Sequence, residues 1–376
     1  MPSFGIVSEV MAVFSRKPLF GYRFMVFSGV AIGFLGWGVW AHHMFASGLG
    51  PLSVAAFSVS TMLIAIPTGV KIVNWTLTMW GGRLWFTTSM LFGIGMIVEF
   101  TIGGLSGVTH AVSPSDTQQT DTYYIVAHFH YVIFGGAVMG LFAGFYLWWP
   151  KVFGKQLDER LGKWNFWLMV TGLNLTFGPM HIIGLQGQPR RMMNWTEARA
   201  GEGFFDLGFW NRVASLGSFV LAVGVVLFVA NVWYTSRHAA PAPLDPWDAR
   251  SLEWMTHSPP KEHNWDRIPT VHSLDEFFHR KYAENEETGE LTRVLSAEQI
   301  IAEQERDADR NIHLPSPSYW PIVLAASLPL IAYGIIFSPL LAVGGGLVLI
   351  AAAFGWALEP SVEPGTATST TVVSSA

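Results

Sequence analysis

Apolar residues run along most of this chain in blocks of roughly 20 or more, the length a helix needs to cross a bilayer. Short polar breaks separate the blocks, which fall at about 24–45, 52–80, 86–109, 122–149, 164–187 and 208–234, with two more near 320–338 and 340–358. Backbone polar groups left unpaired in lipid cost several kcal/mol each, so such blocks must be helices packed on one another. Small residues cluster inside them, at Gly33/Gly36/Gly38, Gly93/Gly95, Gly103/Gly104/Gly107 and Gly135/Gly136/Gly140, where they let helix backbones approach closely. The pattern predicts an all-α, polytopic transmembrane helical bundle of about eight spans. Residues 1–15 read as the last turns of a helix, not as a signal peptide, because no basic head precedes an apolar run with a small-residue cleavage site.

The polar segments complete the organisation. The bundle is expected over 1–236 and a polar cytoplasmic tail over 237–318. Within the tail, Ser296 to Arg310 reads as a solvated helix opened by a Ser296/Gln299 capping box. A two-helix transmembrane hairpin follows over 319–360, and the Ser/Thr-rich end at 361–376 is expected to be disordered. Lys and Arg set the orientation: Arg16, Lys17 and Arg23, then Arg83, then Lys151, Lys155, Arg160 and Lys163 occupy breaks on one side. The opposite breaks carry no formal charge at 42–52 and only Asp116 and Asp121 at 110–121. The basic side is therefore read as cytoplasmic. Arg190 and Arg191 break this rule on the outer side and call for an anionic partner.

Composition sharpens the chemistry. Only 13% of residues are charged and 51% are hydrophobic, which excludes a lone water-soluble core. Cysteine is absent, removing iron–sulfur clusters, thiolate zinc sites, c-type haem attachment and catalytic thiols together. A metal must then be held by His, Met, carboxylate or backbone oxygen, and with 12 His imidazole is the ligand to look for. No Gly-rich phosphate loop stands out, and basic residues are scattered along membrane edges, so a nucleic-acid partner is not expected.

Polar and ionisable groups inside spans are costly and usually functional. His42-His43, in Trp40-Ala41-His42-His43-Met44-Phe45, stand at the outer end of a span. On an ideal helix adjacent residues point about 100° apart, so both reach one metal only where the helix frays; the alternative is two interfacial histidines snorkelling into head groups. His128 and His130, in Ala127-His128-Phe129-His130-Tyr131, differ by about 200° of rotation and face opposite sides. They cannot chelate one ion, but each can hold a planar cofactor; the alternative is a pair of histidines hydrogen-bonded between helices. Lys71, one turn after Thr68 in Ile66-Pro67-Thr68-Gly69-Val70-Lys71, marks either a proton path or a lysine snorkelling to the basic side. Arg190 and Arg191 suit carboxylates in fork geometry. Asp121, beside Thr120, can orient a metal or water. His181 reads equally as a structural donor, and Glu99 has no evident partner.

Taken together these segments resemble subunit I of the haem–copper respiratory oxidases, the cytochrome c oxidase family. The resemblance covers roughly residues 1–258 and rests on Pro2-Ser3-Phe4-Gly5, Trp40-Ala41-His42-His43-Met44-Phe45, Ile66-Pro67-Thr68-Gly69-Val70-Lys71, Asp121-Thr122-Tyr123-Tyr124, Val126-Ala127-His128-Phe129-His130-Tyr131 and Pro189-Arg190-Arg191, with Asp245-Pro246-Trp247 through Trp254 alongside. It implies that His42 and His43 ligate copper, that His128 is the axial ligand of a high-spin haem facing that copper, and that His130 holds a low-spin haem on the opposite face. Thr68 and Lys71 would belong to a proton channel, and Arg190 and Arg191 would hold haem propionates. The family carries a magnesium or manganese site at the position of Asp121, but the histidine preceding it there is Thr120 here.

The activity implied is reduction of oxygen to water, coupled to proton pumping in aerobic respiration, in a bacterial plasma membrane. Electrons would come from cytochrome c through subunit II, which must supply the thiolate-bridged dicopper site that a chain without cysteine cannot build; subunit III is a further expected partner. The family's third copper histidine, its cross-linked tyrosine and its second low-spin haem ligand precede the Pro2-Ser3-Phe4 segment. The expectation is therefore a carboxy-terminal part of subunit I, with the amino-terminal half of the bundle missing. The hairpin at 319–360 lies beyond the usual end of subunit I and reads as a fused small accessory subunit. Two alternatives are a nitric-oxide-reducing relative, against which Lys71 argues, and a haem-free proton-coupled transporter.

Overall fold

The computed structural model describes residues 1–193, 206–265, 267–285, 287–306 and 318–359. The end at 361–376 and residues 307–310 of the expected tail helix lie outside the described residues. Among those described, eight helical stretches are long and apolar enough to cross a membrane, and the chain is an all-α integral membrane bundle.

Helix α1 (Pro2–Ser15) leads into α2 (Tyr22–Trp37), which passes into a 3-10 helix at Trp40–Ser47 ended by Gly48 in the left-handed region, φ 88°. The next block, expected as one helix, is two: α3 (Pro51–Leu63) and α4 (Ala65–Met79). Pro67 causes the break, because it has no N–H to offer the Leu63 carbonyl four residues back. The Thr68 hydroxyl covers the neighbouring carbonyl, donating to Ile64 O at 2.8 Å. Helix α5 (Thr88–Ala111) is capped by Thr87, whose side chain accepts from Met90 N. A short α6 (Ser113–Gln119) precedes α7 (Tyr123–His130), which is capped by Thr122 and continues through a π-helix (Tyr131–Val138) into α8 (Met139–Phe153). Helices α9 (Glu159–Leu185) and α10 (Leu207–His238) complete the bundle.

Close helix contact explains the glycines. A Cβ added at Gly172 would lie 2.5 Å from Leu221 N, and one at Gly217 would lie 2.5 Å from Thr176 N, so α9 and α10 touch backbone to backbone. Polar side chains then join neighbouring helices. Asn165 donates to Gly224 O at 2.8 Å and accepts from Tyr146 OH, while Asn231 donates to Asp158 O at 2.9 Å. Inside a bilayer such bonds substitute for the hydrophobic driving force that lipid does not provide. Large apolar side chains such as Phe24, Phe27, Phe34, Leu52 and Phe219 stay exposed, as membrane-spanning helices require.

The segment after α10 is more ordered than its polarity suggests. It folds through a 3-10 turn (Leu252–Met255), α11 (Glu276–Lys281), a small antiparallel pair β1 (Tyr282–Glu284) and β2 (Leu291–Arg293), and α12 (Ala297–Arg306). The capping box forms as expected: Ser296 N donates to Gln299 Oε1 at 2.8 Å, and Gln299 N donates to Ser296 Oγ at 3.2 Å. Trp247, Trp254 and Phe277 are buried, and Trp247 Nε1 donates to Leu147 O in α8 at 2.8 Å. Residues 1–265 and 269–306 form one compact unit. Helices α13 (Trp320–Phe337) and α14 (Pro339–Ala357) belong to a second unit, a hairpin whose backbones meet where Gly334 faces Ala342 and Gly345 faces Ile331.

A histidine-lined candidate metal and cofactor site

Three of the five histidines singled out in the sequence share one cavity of about 610 Å³, lined by His42, His43 and His128 together with Thr68 and Arg190. The 3-10 helix supplies the first two. Its tighter winding at the span end replaces the α-helical geometry that would have separated them, and His42 Nε2 lies 3.0 Å from His43 Nε2. His42 Nδ1 is 3.1 Å from Thr61 Oγ1, whose own hydroxyl donates to Phe57 O at 2.6 Å. Thr61 can therefore only accept from the imidazole, so Nδ1 carries the hydrogen and Nε2 carries a lone pair.

His128 enters the cavity from α7. Its Nδ1 is 2.9 Å from both Gly103 O and Ser106 Oγ in α5, which leaves Nε2 as the free nitrogen. A Cβ at Gly107 would sit 3.0 Å from His128 Cε1, so this glycine makes room for the ring. His130 points to the other side: its ring stacks on Phe177 of α9 with centroids 4.0 Å apart and planes 11° from parallel. Its Nδ1 donates to Val126 O at 2.8 Å, again leaving Nε2 available. The π-helix begins at the next residue, and such wide turns occur mostly at functional positions.

Thr68 and Lys71 do not share a space. Thr68 lines the histidine cavity, whereas buried Lys71 borders a second cavity of about 430 Å³ with Ser8, Glu9, Tyr22 and Met25. Its Nζ donates to Met25 O at 2.8 Å and lies 5.7 Å from the Phe4 ring centroid. Arg190 is engaged: its Nε and Nη2 donate to Asp121 Oδ1 at 2.9 and 2.6 Å, and its backbone N–H bonds Asp121 O. Arg191 is exposed, with φ 64°. Sequence reasoning placed Arg190 and Asp121 at separate sites, and their mutual pairing across 69 residues had no local signal.

It passed over His110 and read Asp116 only as a charge in the 110–121 break. His110 Nδ1 is 3.0 Å from Asp116 Oδ1, both line the histidine cavity, and His110 Nε2 is buried without a partner. The only hint was Ser113-Pro114, which starts a new helix and folds Asp116 back toward the end of α5.

The residues fit nitrogen-bound metals. Imidazole nitrogens bind first-row ions at roughly 2.0–2.1 Å, so an ion can bridge the two nitrogens 3.0 Å apart, replacing the hydrogen that His43 Nε2 donates to His42 Nε2. His128 and His130 each present Nε2 with Nδ1 tied to a backbone carbonyl, the arrangement that orients and strengthens a metal-ligating imidazole. Asp121 fits a magnesium or manganese ion poorly, since its carboxylate already holds a guanidinium and its neighbour is Thr120.

Residues 1–240 match the family described as Cytochrome C and Quinol oxidase polypeptide I. The chain is 43% identical over 358 residues to cytochrome c oxidase subunit 1 of Bacillus subtilis, covering 93% of this chain and 54% of that protein. It is 46% identical to cytochrome c oxidase subunit 1 of Thermostichus vulcanus (72% of this chain, 48% of that one) and 48% identical to putative cytochrome c oxidase subunit 1-beta of Streptomyces coelicolor (73% and 47%). The chain thus spans about half the length of these curated relatives. A cryo-EM structure of a heme-copper terminal oxidase dimer shares the fold at a TM-score of 0.56 and 16% identity, over 64% of this chain and 47% of that one.

Proposed function

Because this chain belongs to the cytochrome c and quinol oxidase polypeptide I family, we propose that it carries oxygen-reducing residues of a cytochrome c oxidase. It reduces oxygen to water with electrons from cytochrome c, coupled to proton translocation across a bacterial plasma membrane. Subunit II, which brings the electrons, and subunit III are its partners. The observation that carries this reading is the convergence of His42 Nε2 and His43 Nε2, 3.0 Å apart, on the wall of the cavity that His128 enters.

When bound, copper at His42 and His43 and haems at His128 and His130 supply the place where oxygen is held and the electrons it receives. The chain's own groups do the rest. Thr61 keeps the His42 lone pair on Nε2, and Gly103 O with Ser106 fixes the ring of His128. Phe177 holds the His130 ring flat on the far side of α7. Lys71 holds a proton at Nζ on the inner side, and Thr68 offers a hydroxyl one turn away at the cavity. Arg190, which lines the cavity, and the exposed Arg191 would hold haem propionates, and the bonds of Arg190 to Asp121 use its Nε and Nη2.

The assembled complex is expected to show haem absorption, contain copper and consume oxygen with reduced cytochrome c. His42→Ala should abolish the copper signal while both haem bands persist. A complex without haem absorption would instead favour the proton-coupled transporter, and copper retained in the variant would remove this pair from the metal site. Lys71→Met should slow reduction of the haem at His128 on the order of 10²-fold, the scale of a lost proton-transfer group, with both haem spectra intact. Unchanged turnover would end the assignment of Lys71 to a proton path.

A further inference from the structure

Glu99 sits in the middle of α5, 3% exposed, in a segment that crosses the membrane. Its backbone is pressed against the π-helix, where a Cβ at Gly135 would come within 2.6 Å of Glu99 Cβ. One carboxyl oxygen, Oε1, accepts a hydrogen bond from Asn174 Nδ2 at 2.8 Å, and the other, Oε2, is buried without a partner.

The orientation of the amide is fixed by its other bonds. Asn174 Nδ2 also donates to Val170 O at 3.0 Å, and Asn174 Oδ1 accepts from Tyr131 OH at 2.8 Å. Turning the amide over would set its oxygen against the Val170 carbonyl. Oε1 must therefore accept, and a proton on Glu99 can only be on Oε2. An unpaired carboxylate at this depth is far costlier than an unpaired hydroxyl, so the neutral acid is the resting form. A buried polar atom without a partner asks for an explanation such as a functional role or a water molecule.

We propose that Glu99 is a proton-carrying site within the membrane, separate from Lys71, with Asn174 and Tyr131 as its positioning residues. Oε2 gives its proton to a water molecule, leaving a carboxylate and a hydronium ion, and the reverse transfer from hydronium restores the acid. Asn174 Nδ2 stays bonded to Oε1 in both forms, so the site changes charge without rearranging. This inference does not rest on the haem and copper assignments.

The test is infrared spectroscopy of the assembled complex in membranes. The wild type should show the carbonyl stretch of a protonated carboxylic acid that is missing from Glu99→Gln. That band should shift as fast as D₂O can be mixed in, whereas a sealed structural acid exchanges only on slow local opening. Asn174→Ala should move the band to higher frequency, because Oε1 loses its donor. A Glu99→Gln spectrum identical to wild type, or a band that ignores rapid mixing with D₂O, would overturn the proposal. Should Glu99→Gln fail to assemble, Glu99→Asp keeps an acid at the position; a displaced band that exchanges as rapidly supports the proposal, and an undisplaced one overturns it. These readouts remain available if the haem reading fails, so the two failures are distinguishable.

Discussion

Replacing His130 with alanine removes one haem signal from the assembled complex and leaves the other, and His128→Ala does the converse. Two side chains separated by a single residue would ordinarily fail together, and the geometry says why these do not. His128 leans on Gly103 and Ser106 of α5 and enters the cavity with His42 and His43. His130 turns the other way, onto Phe177 of α9. Each ring is anchored through Nδ1 to a carbonyl that the other does not use. Losing an anchor of this kind lowers metal affinity by roughly 10–100-fold, and losing the ligating ring itself should lower it further. The expected spectra therefore show near-complete loss of one haem band per variant, and Phe177→Ala should weaken only the band that depends on His130. Equal loss of both bands in His130→Ala would mean the two rings serve one site.

The rotation between His128 and His130 was legible because it depends only on helical periodicity. The pairing of His42 with His43 was legible in part: a span end is where a helix can fray, but nothing local specifies a 3-10 turn over an α-turn. The division of the second span at Ile64 had its cause in view, in Pro67, yet hydropathy alone joins the two pieces. The contacts that sequence could not show are those between distant positions. Asp121 meets Arg190, and Glu99 meets Asn174 across 75 residues, and each depends on which faces of α5, α7 and α9 pack together. Near separation did not suffice for His110 and Asp116 either, because the turn at Pro114 decides whether they meet. Thr68 and Lys71 show the reverse limit: one turn apart on α4, they border different cavities.

The segment that reads as a polar tail yields the largest expected change in stability. Lys281 is fully buried, with its Nζ 2.6 Å from Asp245 Oδ2, 2.7 Å from Asp248 Oδ1 and 2.7 Å from Ala249 O. Asp248 is shared, since it also takes Arg16 of α1 at 3.1 Å and the Tyr282 hydroxyl at 2.9 Å. Asp245 is nearly as buried as the lysine, its side chain 3% exposed. Lys281→Met leaves that carboxylate without its cation, and breaking a buried pair from one side costs about 3–5 kcal/mol. Denaturant unfolding followed by the fluorescence of Trp247 and Trp254, or protease cleavage within 237–306, should register the loss. Burial already pushes the Asp245 carboxyl up from its usual range, and Lys281 pulls it back. Without the lysine, burial and the neighbouring Asp248 push the carboxyl further up against the Ala249 N–H, which still donates to Oδ1 at 2.8 Å, so the folded variant binds a proton that the unfolded chain releases. Its deficit should then be largest near neutral pH and shrink as pH falls through the raised value. Lys281→Met with Asp245→Leu should recover most of the loss, because an apolar pair of similar volume replaces a buried ion pair at little cost. A single variant as stable as the wild type at neutral pH would show that water reaches Asp245, and that the ion pair does not hold this lobe together.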